Sequence, residues 1–290
     1  MTERVAVVTD SSAALPDDLV RRWGITVVPL KVVVDGEARP EGVGADGVLE
    51  ALLAGKSVTT SQPAVEAFAE AFRAVEVAGA SAVVAVLLSS RLSGTVAGAR
   101  KAADAVGIPV EVVDSRQVAL GTGFAALAAA AAARAGDNPE DVAATAVKVA
   151  ASARCVFTVD TLEFLRRGGR LSSAAAAVGR MLQVRPVLEI VDGEVVAAEK
   201  VRSTARAREA VATRARRAVD TLTRPGVGIL TVGDGAYADA TAEAFADAAM
   251  LVRTDIGAVL AVHAGPGALG VVTAELPAAL LDAPEATPRH

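Results

Sequence analysis

Residues Leu87–Arg100 read LLSSRLSGTVAGAR, and the change of character inside this stretch decides the fold. Ahead of Ser89, Ala82–Leu88 is an unbroken apolar run of strand length. After Ser93-Gly94-Thr95, small and apolar residues continue at helical spacing to about Ala105. A buried strand therefore hands over to a helix through hydroxyls and a glycine. The phrase recurs on both sides. Arg4–Thr9 ends in Asp10-Ser11-Ser12, and Pro16 opens a helix to about Trp23. Val110–Val113 ends in Asp114-Ser115, ahead of an alanine-rich helix in the uncharged run from Gln117 to Ala133. Apolar strands alternating with helices predict a parallel sheet with crossover helices. The carboxyl ends of its strands share one edge, so Thr9–Ser12, Ser89–Thr95 and Asp114-Ser115 are expected to line one crevice. The N-terminus of a helix carries unpaired N–H groups and a partial positive charge, so that crevice should prefer a phosphate or a carboxylate.

Between these phrases, Ile25–Val34 reads as one β-branched strand turned by Asp35-Gly36. Thr59-Thr60-Ser61-Gln62-Pro63 reads as polar punctuation before a helix from about Ala64 to Val77. Beyond about Arg154 the pattern changes. Cys155–Val159 reads as a strand, Asp160–Arg166 as a short helix, and Gly168 to Ser173 as a break before a small-residue helix to Leu182. Asp192-Gly193 between Pro186–Val191 and Val195–Lys200 signals a type I′ hairpin. A basic helix with Arg202, Arg206, Arg208, Arg214, Arg216 and Arg217 follows. Strands are expected near Val227–Val232, Ala258–His263 and Gly270–Thr273, with a helix from about Ala236 to Met250 and a disordered tail from Ala283. The expected fold is α/β with two α/β domains, residues 1–154 around a parallel sheet and residues 155–290 around a mixed sheet, with a ligand between them.

Composition narrows the function. With 290 residues and 52% hydrophobic content, the chain can bury a substantial core. A net charge of -5 offers no general field for nucleic acid. One cysteine, Cys155, and two histidines, His263 and His290, cannot build an intrachain disulfide or a Cys- or His-rich metal site. The amino terminus, MTERVAVVTDSS, lacks the long apolar segment of a signal peptide, and no run reaches the roughly 20 residues of a membrane span. A reducing cytoplasm is the expected location. No G-x-x-x-x-G-K-[ST] phosphate loop is present.

Ser93 alone reads most simply as an N-cap. That reading leaves Thr60-Ser61-Gln62 and His263-Ala264-Gly265-Pro266-Gly267 unexplained, and His263 reads equally well as a satisfied core histidine or a ligand contact. The Arg202–Arg217 face reads either as solvated or as a docking surface for an acidic partner or anionic lipid.

Seven motifs together carry a resemblance: TDSSAALP at 9–16, TTSQPAVEAF at 59–68, LSSRLSGT at 88–95, VVDSRQVALGTG at 112–123, DTLEFLRRGGRLS at 160–172, KVR at 200–202 and VHAGPGALGVV at 262–272. In this order, over nearly the whole chain, they resemble the DegV family. The resemblance implies a bacterial fatty-acid-binding carrier of two α/β domains. Such a carrier holds a long acyl chain while an ATP-dependent fatty acid kinase phosphorylates its carboxylate, and it meets an acyltransferase or the membrane surface. It implies no cofactor, no catalytic residue and no nucleotide site in this chain. Carried over, Ser93 with Gly94 and Thr95 of LSGT, Thr60 or Ser61 of TSQP, His263 of HAGPG and Arg170 of GGRLS would form the head-group site. Ala64 stands where the family usually continues TSQPS, so that helix start lacks its hydroxyl. The alternative is an acyl hydrolase with Ser93 as nucleophile and His263 as base, against which stand the missing G-x-S-x-G elbow and the lack of an orienting acid.

Overall fold

The computed structural model describes residues 4–42, 47–171, 184–232 and 235–282. The expected small-residue helix to Leu182, Ser172 and Ser173 before it, and the tail from Ala283 lie outside the described residues.

The first sheet is the expected parallel one. Strands β1 (Val5–Asp10), β2 (Thr26–Val28), β6 (Ala82–Leu87) and β7 (Val110–Asp114) lie in the order β2-β1-β6-β7 with every pairing parallel. Strand β6 is buried at all of its positions, as the unbroken run AVVAVL requires in a sheet covered on both faces. Helices α1 (Asp17–Trp23), α3 (Val65–Val77) and α4 (Thr95–Ala103) connect the strands.

The second sheet is mixed. It contains β8 (Arg154–Thr158), β9 (Arg185–Val191), β10 (Glu194–Val201), β11 (Pro225–Thr231), β12 (Met250–Asp255) and β13 (Leu269–Glu275), in the order β10-β9-β8-β13-β11-β12. Only β11 and β12 pair in parallel. The β9–β10 hairpin turns on Asp192 and Gly193, at φ 51° and 84°, the double positive φ that a type I′ turn demands. Helix α8 (Thr204–Val219) covers one face of this sheet through Ala207, Val211, Ala215 and Val219. Between β8 and β9 lies the short helix α7 (Glu163–Arg167), and α9 (Gly235–Glu243) precedes β12.

The alanine-rich run forms α5 (Leu120–Ala135), buried at every position from Leu120 to Ala132. It sits between the two sheets, in one apolar cluster with Val84 of β6 and Val272 of β13. Alanine suits that place, because a helix enclosed on all sides needs small side chains to approach both neighbours. A second helix follows, α6 (Pro139–Ser152), started by Asn138, whose side chain accepts from the N–H of Asp141, and by Pro139.

Four expectations need correction. The run Ile25–Val34 is two strands. Pro29 lacks the N–H to continue a ladder, and beyond it β3 (Lys31–Val34) leaves the first sheet to pair with β4 (Glu37–Pro40) and β5 (Val58–Ser61) in a small antiparallel sheet, order β4-β3-β5. Helix α2 (Val48–Leu53) packs beside it. The polar punctuation at Thr59–Ser61 is therefore a strand. Finally, Ala258–His263 is not a strand but part of helix α10 (Gly257–Ala264), and the expected helix to Met250 stops at Glu243 so that β12 can form. A short, wholly apolar run has no periodicity to distinguish the two states. The chain closes with α11 (Ala278–Leu281).

Candidate functional site

A cavity enclosing about 930 Å³ of empty space, its open mouth included, lies where the small sheet, the loop after β6, α10 and the α5-facing side of the second sheet converge. Its wall is largely apolar, with Leu88, Leu92, Phe157, Ile190, Leu230 and Leu260 among the lining side chains. Its polar groups are few: Thr60, Ser61 and Gln62 from the end of β5, Ser93 before α4, His263 on α10 and Arg170 after α7. Among the described lining residues, Arg170 is the only one with an acidic or strongly basic side chain.

Each polar group is held by identifiable contacts. Helix α4 begins at Thr95 with Gly94 in the capping position, and no side chain caps it. Ser93 is therefore not the N-cap; its Oγ lies 2.8 Å from Oγ1 of the fully buried Thr95. Gly94 is packed so closely that a Cβ there would come 2.0 Å from Oε1 of Gln62, which couples the LSGT and TSQP motifs. Gly94 and Thr95 thus support Ser93 and Gln62 without lining the cavity. The loop between β6 and α4 is tied down by Asp10, whose Oδ2 accepts from the N–H of Leu88 at 2.9 Å. Ser89 also donates to the Gly193 carbonyl of the β9–β10 hairpin at 2.8 Å.

Helix α10 is positioned from a distance. Oε1 of Glu41 accepts from the Val259 N–H at 2.7 Å and Oδ1 of Asp255 accepts from the Gly257 N–H at 2.9 Å. Two carboxylates at a helix N-terminus complement its dipole. Burial raises the Glu41 carboxyl above its ordinary pKa. This docking brings Nε2 of His263 to 2.8 Å from Thr60 Oγ1. The other ring nitrogen, Nδ1, is buried without a hydrogen-bond partner among the described residues, and a Cβ on Gly168 would come 2.2 Å from it. A Gly168 Cα–H facing a bare nitrogen suits that contact, which assigns the proton to Nε2. Thr60 then accepts from His263 and keeps its own hydroxyl hydrogen for a ligand.

Burial, and then the nearby Arg170 charge, lower the pKa of His263 to about 4, so the imidazole is neutral at physiological pH. Positive charge at this end of the cavity comes from Arg170, whose Nε donates to the Leu92 carbonyl at 3.0 Å and whose Nη1 donates to that of Gly168 at 2.5 Å. The cavity thus pairs one fixed cation and several hydroxyls with a long apolar wall. That arrangement suits an amphiphile with a small anionic head.

Thr60, Ser61, Ser93, Arg170 and His263 share this one cavity, although 203 residues separate Thr60 from His263. Gln62 joins them; the sequence singles it out within Thr60-Ser61-Gln62, but the resemblance carries only Thr60 or Ser61 to the head group. The hydrolase constellation is not assembled. Ser93 Oγ pairs with Thr95, His263 Nε2 pairs with Thr60, and among the described residues no carboxylate orients Nδ1. Cys155 also lines the cavity, but burial pushes its thiol up to about 12, which makes it a wall rather than a nucleophile.

The basic helix is largely engaged within the fold. Arg214 bonds Glu189 at 2.9 Å and Glu199 at 3.3 Å, Arg216 bonds Asp220 and Asp247, and the Arg208 guanidinium lies 3.4 Å from the centre of the Tyr237 ring. Arg202, Arg206 and Arg217 remain exposed. Among the described residues, no helix is long and apolar enough to cross a membrane.

Comparison with known proteins gives a consistent picture. A family model described as "Uncharacterised protein, DegV family" matches residues 4–276. A DegV domain-containing protein of Streptomyces coelicolor is 41% identical over 277 residues, covering 94% of this chain and 99% of that protein. A DegV family protein of Thermus thermophilus, solved for its fatty acid binding, superposes with a TM-score of 0.87 at 34% identity, covering 94% of this chain and all of that one. DegV of Bacillus subtilis, described as a fatty acid binding protein, superposes at 0.85 with 29% identity over 94% of this chain and 99% of its own.

Proposed function

The chain belongs to the DegV family, and from that premise we propose that it is a fatty-acid carrier, burying an acyl chain in the cavity and holding its carboxylate at Ser93, Thr60 and Arg170. One observation carries this reading: a long apolar wall ends in hydroxyls beside the Arg170 guanidinium, and among the described residues no catalytic triad is assembled there. The energetics favour the same ligand. Each methylene leaving water contributes about 0.8 kcal/mol, so about fifteen of them supply on the order of 12 kcal/mol before ordering costs. A neutral hydrogen bond contributes about 1 kcal/mol net. The tail therefore sets affinity, and the hydroxyls set where the carboxylate stands. Holding a carboxylate in place without a nucleophile directed at it is what a partner kinase would need to make an acyl phosphate. The nucleotide would then bind to that partner, and the boundary between the two α/β units, expected after residue 154, would fall at the start of β8. Should the partner be acidic, Arg202, Arg206 and Arg217 are the arginines open to it.

The direct test is native mass spectrometry of the purified protein, with extraction and identification of the bound molecule. A stoichiometric fatty acid is the expected result; a protein that is empty and takes up none would refute the carrier. Ser93→Ala is expected to retain the lipid while slowing its phosphorylation by a fatty acid kinase, and full turnover by that variant would remove Ser93 from the head-group site.

Charge at the head group separates two residues further. Arg170→Gln is expected to weaken binding of a long-chain carboxylate by roughly 10- to 100-fold, the loss of one charge-assisted hydrogen bond, whereas the neutral His263 changed to Gln costs less than about tenfold. Binding of the matching long-chain alcohol, titrated in parallel, should be far less sensitive to Arg170→Gln. Equal losses for acid and alcohol would show that Arg170 acts through packing.

A further inference from the structure

Two residues of the cavity wall face a second hollow as well. Cys155 and Ile190 line the apolar cavity, and both also line a larger cleft with about 1560 Å³ of empty space, open solvent included. The cleft lies between α6, the loop after β7, the start of β8, the end of β9 and α8, and its walls include Asp114, Arg116, Arg154, Glu189 and Arg217. The first hollow has Arg170 as the only charged side chain among its described lining residues, whereas the second is open to solvent and carries charged side chains of both signs beside apolar ones such as Val147 and Ala150. Cys155 and Ile190 stand between them.

Strand register gives their position relative to the polar end. Phe157, Gly270 and Leu230 stand side by side across β8, β13 and β11, and all three line the cavity. Strand β8 runs toward α7 and Arg170, so the row two residues back, Cys155, Val272 and Gly228, lies about 7 Å farther from the polar end. In that row only Cys155 lines the cavity. The space over Gly228 is taken by Leu120 of α5, whose Cδ1 would lie 2.4 Å from a Cβ at that glycine. The pairing of β8 with β9 ends at Val156 and Glu189, and the next positions on the two strands are Cys155 and Ile190. Each is only 5% exposed.

We infer that Cys155 and Ile190 form the stop at which the acyl chain ends, and that their bulk sets the longest chain the protein holds. The inference rests on the fatty-acid-carrier reading. Each methylene added short of the pair is buried and raises affinity about fourfold. A methylene pushed past it enters an open cleft lined partly by charged side chains, where it keeps contact with water and gains far less, so affinity plotted against chain length breaks at the stop.

The test is a titration of the intact protein with saturated fatty acids of increasing length, reading the length at which affinity stops rising, with thermal unfolding as the check on each variant's fold. Ile190→Ala removes three carbons from the stop and is expected to move the break to acids about two carbons longer. Cys155→Phe is expected to move it to shorter acids. Ile190→Val, a smaller change, is expected to shift it in the same direction as alanine and keeps the test open where the larger substitutions fail to fold. A break at the wild-type length in the folded variants would overturn the stop while leaving the carrier intact. A wild-type protein that binds no acid of any length would overturn both.

Discussion

Gly270→Phe is expected to cut affinity for a long-chain fatty acid about a thousandfold while leaving the protein folded. Gly270 lies in β13 between Phe157 and Leu230, and it lines the cavity. A Cβ there would meet Phe157 Cβ at 3.4 Å and Leu230 Cδ1 at 3.8 Å, which is ordinary van der Waals contact. The first carbon therefore fits, and the ring beyond it occupies space assigned to the acyl chain. Displacing about five methylenes at about 0.8 kcal/mol each loses about 4 kcal/mol, close to three powers of ten in Kd. Phenylalanine also suits a strand better than glycine, so thermal unfolding should not fall in the same proportion. Gly270→Ala should cost far less, because its single added carbon stays at the wall. The comparison is a titration of the three proteins with one fatty acid. Wild-type affinity in Gly270→Phe would mean that the tail lies elsewhere, whatever the head group touches.

That the cavity faces this strand was not legible in the sequence, and the reason is physical. The phrase strand, hydroxyl, helix is local: Leu87 to Thr95 carries its own turn and helix-start signals, and the parallel sheet follows from repeating it. The β9–β10 hairpin was legible for the same reason, since Asp192-Gly193 encodes its turn. What failed was pairing between distant segments. Val58–Ser61 is a strand because Lys31–Val34 lies beside it, and nothing within Thr59–Pro63 announces that partner. Gly257–Ala264 is a helix because Glu41, 218 residues before Val259, accepts one of its first N–H groups. The polar end of the site was readable through residue types that have no packing purpose in isolation, such as His263 beside a Gly-Pro-Gly turn. The tail end was not, because Leu230, Phe157 and Ile190 look like any core residue until the sheet register brings them round one space.

Asp10 and His263 are expected to pull stability in opposite directions between about pH 4 and 6.5, and replacing either should expose the other. Asp10 is fully buried. Its Oδ1 accepts from the N–H and the hydroxyl of Ser12, at 3.0 and 2.5 Å, and its Oδ2 accepts from the Leu88 N–H at 2.9 Å. Burial outweighs these bonds and raises its pKa from 3.8 to about 6. The folded chain therefore holds this proton to higher pH than the unfolded chain does. Stability from Asp10 falls as pH rises through the window from about 4 to 6, by about 3 kcal/mol in all. His263 has the reverse sign. Its pKa drops from 6.5 to about 4, so the folded chain binds fewer protons over nearly the same window, and stability rises with pH by about 3 kcal/mol. Glu41, also raised by burial, adds in the sense of Asp10. The wild-type protein should thus show a shallow profile made of steep opposing parts. Asp10→Asn cannot ionise, so its stability relative to wild type should improve by about 3 kcal/mol from pH 4 to above pH 6, whatever constant cost its amide incurs against the Leu88 N–H. His263→Gln should lose ground relative to wild type over the same range. Urea unfolding of the three proteins at several pH values reads both slopes, and parallel curves would show that neither group titrates far from its ordinary value. A histidine kept neutral by this means leaves Arg170 as the fixed charge at the polar end. The burial that makes His263 costly to protonate in acid is then what makes the head-group site insensitive to pH near neutrality.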